Sequence, residues 1–138
     1  MTSELRVDNL KGSTTGGSIN VLGEGTSATT NLQQGLCKCW LSYTHISSHS
    51  IFDSFNVTSL TDLGTGQTKV TITNDMANNT YSGYWYSNAT SGSSYSNFNN
   101  QHDGGFGGFT TGDFSTYAYG TGAVDAYLNT NGIFGDLA

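Results

Sequence analysis

Apolar and polar positions alternate with a period of two wherever this chain is clearly patterned. Around residue 70, Val70 and Ile72 alternate with Lys69, Thr71 and Thr73; upstream, Phe55 and Val57 alternate with Asn56 and Thr58. That period places the apolar set on one face of a sheet and the polar set on the other. Between the two runs, Asp62-Leu63-Gly64-Thr65-Gly66 supplies the positive-φ positions that a tight reversal needs. Residues 55–73 are therefore expected to form a β-hairpin with one wet face, in a chain that is all-β and antiparallel. The same reading predicts strands over 36–43, 50–60, 67–73, 81–86, 116–119, 124–128 and 133–134, with Asn131-Gly132 as a turn between the last two. Residues 87–115 read as a loop, and no segment carries a helical period of useful length.

The first thirty residues differ from the rest. Leu5 and Val7, then Ile19 and Val21, form two short apolar runs around a Gly-Ser-Thr turn. Such a piece is too small to bury a core of its own. It is expected to lie against sister chains or a partner, through Leu5, Val7, Leu10, Ile19 and Val21. Residues 26–34 read as a linker. The expected division is thus an attachment and oligomerisation segment with its linker, 1–34, and an antiparallel β-sandwich or jelly-roll-like knob, 35–138.

Composition sharpens this picture. Gly, Ser, Thr and Asn make up half the chain, yet charged residues are only 10% and aromatics reach 12%. Disordered segments are usually highly charged and poor in aromatics, so short strands joined by polar turns fit better. With no proline, the turns depend on Gly and Asn. The net charge is −6, and all four cations, Arg6, Lys11, Lys38 and Lys69, lie in the first half. A phosphate backbone would be repelled by the second half, so no nucleic-acid partner is expected. No apolar run approaches the roughly 20 residues of a spanning helix, and no polybasic anchor exists, so no membrane insertion is expected. The opening MTSELRVDNLKG has no signal-peptide apolar core. The triplets at Asn56, Asn78 and Asn88 are then better read as chance in an Asn- and Thr-rich chain than as glycan acceptors.

Candidate chemistry is sparse. Tyr84, Trp85, Tyr86, Tyr95, Phe98, Phe106 and Phe109 sit among Ser, Asn and Gly. Rigid aromatic anchors among small polar groups are the makeup of binding loops. Tyr84, Tyr86, Tyr95, Asn97, Phe98 and His102 are the candidate ligand-binding residues, by stacking on sugar rings and hydrogen bonding to hydroxyls. Against this stands the ordinary use of alternate aromatics as core, with Trp85 inward and Tyr84 and Tyr86 outward. Cys37 and Cys39, two apart on a strand, are expected to face the core beside Leu41 as small buried hydrophobes. A metal site would need two further ligands, and a disulfide between them would be strained. His45, His49 and His102 are expected to be exposed loop histidines. Asp103, Asp113 and Asp125 near glycines offer oxygen ligands for Ca²⁺, but no calcium-loop spacing supports it, and no cofactor or metal is expected. No nucleophile elbow, phosphate loop or acid–base carboxylate pair is present, so no enzyme is expected.

The order of motifs resembles a known family. GLCKCW (35–40), IFDSFNVTSLTDLGTGQTKVTIT (51–73), Asn74-Asp75-Met76-Ala77 and then Tyr81 look like the small β-domain of fibre proteins of marine tailed bacteriophages. The closing GAVDAYLNTNGIFGDLA (122–138) is similar to that family's final strands, and LRVDNLKGSTTGGSINV (5–21) to its shaft-proximal module. Residues 84–121 do not align. The resemblance implies a non-enzymatic virion structural protein, assembled in the host cytoplasm. It implies a homotrimeric short fibre or knob of tail or head, joined to other virion proteins through its N-terminus. Host attachment through surface glycan or protein would fall to the loop at 84–109. The alternatives are a capsid or tail decoration protein that binds no host ligand, and a free glycan- or ice-binding module.

Overall fold

A computed structural model describes residues 4–17, 19–22, 28–89, 108–118 and 123–138. The chain is all-β: its regular structure is antiparallel strand apart from one helical turn. It divides into two compact units, Met1–Leu36 and Cys37–Ala138.

In the first unit, β1 (Asn20–Leu22) pairs with β2 (Thr29–Asn31), and α1 (Leu32–Gly35) follows directly. Asn31 explains the abrupt change from strand to helix. Its Oδ1 accepts from the amides of Gln33 (2.9 Å) and Gln34 (3.2 Å), and its Nδ2 donates to the Gly17 carbonyl (3.0 Å). That is the action of a helix N-cap residue, which competes with the strand ladder for backbone amides. The expectation of a linker over 26–34 is corrected accordingly: residues 29–35 are structured. The partner of the Ile19–Val21 run is residues 29–31, and the Leu5–Val7 run forms no strand.

The second unit is a small β-sandwich. One sheet runs β4 (Ser50–Phe55), β3 (Cys39–Thr44), β9 (Ala126–Phe134), β7 (Ser82–Ala89); the other runs β5 (Val57–Gly64), β6 (Gln67–Ile72), β8 (Asp113–Tyr117). The expected hairpin is β5–β6, closed by Thr65-Gly66, with Gly64 at φ 130° and Gly66 at φ 70°. β6 alternates as its sequence predicts, burying Thr68, Val70 and Ile72. β5 does not keep phase. A register shift between Val57 and Ser59 inserts an extra residue, so Val57 and Leu60, three apart, both pack on the core.

Several boundaries differ from expectation; β3, for one, begins at Cys39 rather than at residue 36. The expected strand 50–60 is broken at Asn56, which adopts φ 59°, a conformation Asn tolerates better than most residues. There the chain leaves one sheet for the other. Asn56 Nδ2 donates to the carbonyls of Lys38 (2.9 Å) and Asn74 (3.2 Å), while its Oδ1 accepts from the Asn74 amide (2.8 Å). Asn131-Gly132 is not a turn but the middle of β9, hydrogen-bonded to strands on both sides. β8 begins at Asp113, three residues before the expected strand.

The core between the sheets has two characters. Cys39, Leu41, Val70, Ile72, Met76, Tyr81, Phe114 and Ile133 form an apolar part, with Trp85 and Phe109 packed against it. Beside it lies a polar part of Tyr43, Thr68, Thr116, Asn129 and Asn131, all buried. The Tyr43 hydroxyl meets Thr116 Oγ1 at 2.6 Å, joining the two sheets, and burial holds the phenol above its ordinary pKa. Removing that hydroxyl strands polar partners away from water. Tyr43→Phe is expected to lower stability by about 1–3 kcal/mol in urea denaturation. A loss below about 0.5 kcal/mol would show that the hydroxyl does not link the sheets.

Cys37 departs from the expected pattern. Only Cys39 is buried in the strand, with burial pushing its thiol up to about 12. Cys37 precedes the strand and is half-buried, its Sγ donating to the carbonyls of Cys39 (3.1 Å) and Ile133 (3.4 Å). Both cysteines are free thiols.

Candidate functional site

The four-stranded sheet has an inner face carrying Cys39, Leu41, Tyr43 and Ile133, so the alternate residues of its strands face outward. One outward row crosses all four strands in register. Phe55 on β4 pairs with Trp40 on β3, Trp40 with Gly132 on β9, and Gly132 with Tyr84 on β7. Phe55 and Tyr84 are each 52% exposed and Trp40 36%. Glycine is what lets the row form. A Cβ on Gly132 would collide with the Tyr84 ring, coming within 2.6 Å of its Cζ. The ring therefore lies over the bare glycine backbone, covering a position that would otherwise weaken the strand.

The next outward row is polar: Asp53, Ser42, Thr130 and Tyr86 stand opposite one another across the same strands. Two residues along a strand separate the rows by about 7 Å. Asp53 is the only charged residue in the two rows.

Tyr84 and Tyr86 are thus brought together on one exposed face, as expected, with Trp85 turned inward. Trp40, which sequence reasoning did not single out, completes that face together with Phe55, which was expected on the apolar face of the hairpin and instead stands exposed at the end of β4. The signal for Trp40 was present: with Cys39 and Leu41 inward, the residue between them must face out. Tyr95, Asn97, Phe98, His102 and Phe106 lie outside the described residues. Phe109 corrects the picture of an exposed aromatic loop. It packs into the core against Tyr81, Trp85 and Phe114, with ring centroids 4.7, 6.0 and 6.5 Å away.

A second cluster corrects the histidine reading. His45 is 3% exposed, and the His49 side chain is similarly covered. Their rings lie 4.9 Å apart, centroid to centroid. His45 Nδ1 accepts the Ala126 amide (3.1 Å), with Asn129 Nδ2 at 3.4 Å. His49 Nδ1 stands 3.6 Å from Asp62 Oδ2. The β3–β4 connection turns back on itself here through Ser47 at φ 67°, which carries both histidines under the sheet end. Burial, and next the neighbouring His49, lower His45 to about 4. Both imidazoles are buried, yet His45 Nε2 and both ring nitrogens of His49 have no hydrogen-bond partner among the described residues.

The acidic residues do not converge. Asp125 Oδ1 accepts the Gly66 amide (2.8 Å), pinning the β5–β6 turn, and Asp113 opens β8. Among the described residues, no three of His, Cys, Asp and Glu are grouped to hold a metal ion. No helix of the described residues is long and apolar enough to cross a membrane. In the N-terminal unit, Leu5, Val7, Leu10, Val21 and Leu22 are all exposed, from 48% to 75%, and Ile19 is half-buried. Compared with known proteins, the chain matches no family model, no curated protein and no solved structure.

Proposed function

We propose that this chain is a non-enzymatic structural protein of a bacteriophage virion, a short fibre or fibre knob of tail or head. In this reading, residues 4–22 hold it to sister chains in a homotrimer and to other virion proteins, and the sandwich faces outward toward the host surface. The observation that carries the reading is the uncovered apolar set of the N-terminal unit: Leu5, Val7, Leu10, Val21 and Leu22 are exposed. Burying one such side chain is worth about 1.5–3 kcal/mol, so five exposed ones favour a partner. The order of motifs along the chain supports the virion assignment, and the exposed aromatic row supports a role in contact with a surface.

The test uses the full-length chain. Sedimentation at micromolar concentration is expected to give a trimer, and the triple variant Leu5→Asp, Val7→Asp, Val21→Asp a folded monomer that no longer enters particles. A monomeric wild type would remove the trimer, and normal incorporation of the variant would remove the docking role. A decoration protein without a host ligand would assemble in the same way, but the isolated chain would not compete with whole particles for cells.

A further inference from the structure

We propose that the row Phe55–Trp40–Gly132–Tyr84 is a platform for an uncharged oligosaccharide, whose ring faces lie along the aromatics while its hydroxyls reach the polar row beside them. The inference deepens the attachment reading and rests on it only for where the glycan comes from.

Shape is the first argument. The row crosses four strands spaced about 4.8 Å apart, so it extends roughly 14 Å, the reach of a short sugar chain rather than a single ring. Aromatic rings present flat apolar surface that suits the C–H face of a pyranose, and the Tyr84 ring is held over Gly132.

Charge is the second. Neither cation of the sandwich lies in the two rows: Lys38 is buried, and Lys69 is on β6 of the other sheet. With Asp53 as the only charge in the two rows, the face repels phosphates, sulfates and uronates and accepts a neutral ligand.

Area is the third, and it favours a small ligand over a second copy of this chain. Taking about 200 Å² for a full aromatic side chain, exposures of 52%, 36% and 52% leave on the order of 300 Å² of aromatic surface. A stable protein interface needs about 800 Å² per partner. The aromatic row is bordered by Asp53, Ser42 and Thr130, which a protein partner would have to desolvate. A sugar instead satisfies them, because each ring carries hydroxyls at its rim.

The experiment is affinity electrophoresis of the full chain through native gels containing laminarin, hydroxyethylcellulose, dextran or agarose-derived galactan, with alginate as the charged control. At least one neutral polysaccharide is expected to retard the wild type, and alginate is not. Trp40→Ala is expected to weaken that retardation about tenfold or more. Gly132→Ala should do likewise while remaining folded, because its new methyl group displaces only the far end of the Tyr84 side chain. Tyr127→Ser, an exposed aromatic outside the row, should leave retardation unchanged. Circular dichroism verifies the fold of each variant.

Retardation in none of the four neutral gels overturns the proposal. So does retardation that survives both Trp40→Ala and Gly132→Ala, or a wild-type dimer that Trp40→Ala converts to monomer. These failures leave the virion reading intact, since it rests on the N-terminal unit. Conversely, Trp40-dependent glycan binding by a chain that cannot compete for host adsorption keeps the platform and removes its role in attachment.

Discussion

Phe114→Ala is expected to lower the stability of the sandwich by about 3–5 kcal/mol, the largest effect of any single truncation here. Phe114 is fully buried as the second residue of β8 and pairs across the sheet with Val70. Its ring meets Trp85 edge-on at 6.3 Å and Phe109 at 6.5 Å. Those three rings come from β7, from β8 and from the segment just before it, so the cavity left by alanine opens between the sheets. Domains of this size are stable by only about 5–15 kcal/mol, so the variant loses a large share of the total. In urea denaturation the midpoint should fall while the slope stays constant. Phe114→Leu should cost clearly less, since it leaves a smaller void. A loss under about 1 kcal/mol for the alanine variant would mean that this ring does not join the sheets.

Acidification is expected to destabilise the sandwich between pH 6.5 and 4, through His45. The unfolded histidine titrates at 6.5, and in the fold burial and His49 lower it to about 4. Asp125 and Asp62 act the other way, favouring the charged ring, but the first two effects win. Between those pH values the unfolded chain binds a proton that folded His45 does not. Stability from this residue is therefore complete above pH 6.5 and falls steadily as pH drops toward 4. The difference between the two values corresponds to about 3 kcal/mol. The check is the unfolding free energy measured from pH 7.5 to 4. His45→Asn, which cannot take up a proton, should flatten the curve over that interval. A wild-type curve already flat there, or an unchanged slope in the variant, would rule the mechanism out.

How far the sequence reached depended on whether local pattern and tertiary context agreed. They agreed over β6, where Thr68, Val70 and Ile72 alternate inward, and over Cys39-Trp40-Leu41. They disagreed at Asn131-Gly132. By itself that dipeptide is a strong turn signal. Here the strands on either side of β9 supply its hydrogen bonds, and Tyr84 covers the glycine. The bulge in β5 was also illegible, because an inserted residue changes phase without changing residue types. His45 and His49 looked like surface loop residues because nothing in THISSHS reports that the connection folds under the sheet. For the candidate site, period-two alternation was enough to place Tyr84 and Tyr86 outward. The row itself needed the register between strands distant in sequence: 40, 55, 84 and 132 meet only once the sheet is assembled.

The positions where the chain enters and leaves the sandwich have a mechanical consequence. The Lys38 amide donates to the Ile133 carbonyl at 2.7 Å, and Cys39 stands opposite Ile133. First and last strands are antiparallel neighbours, so the chain enters and leaves at the same end of the sheet. A pull applied through the two ends would peel β3 from β9 one hydrogen bond at a time, the weakest way to load a sheet. A pull applied through the N-terminal side and resisted by a ligand on Tyr84 loads it differently. Tyr84 lies in the same cross-strand row as Trp40, so that load crosses β7, β9 and β3 near the end where the chain enters and spares the C-terminal segment.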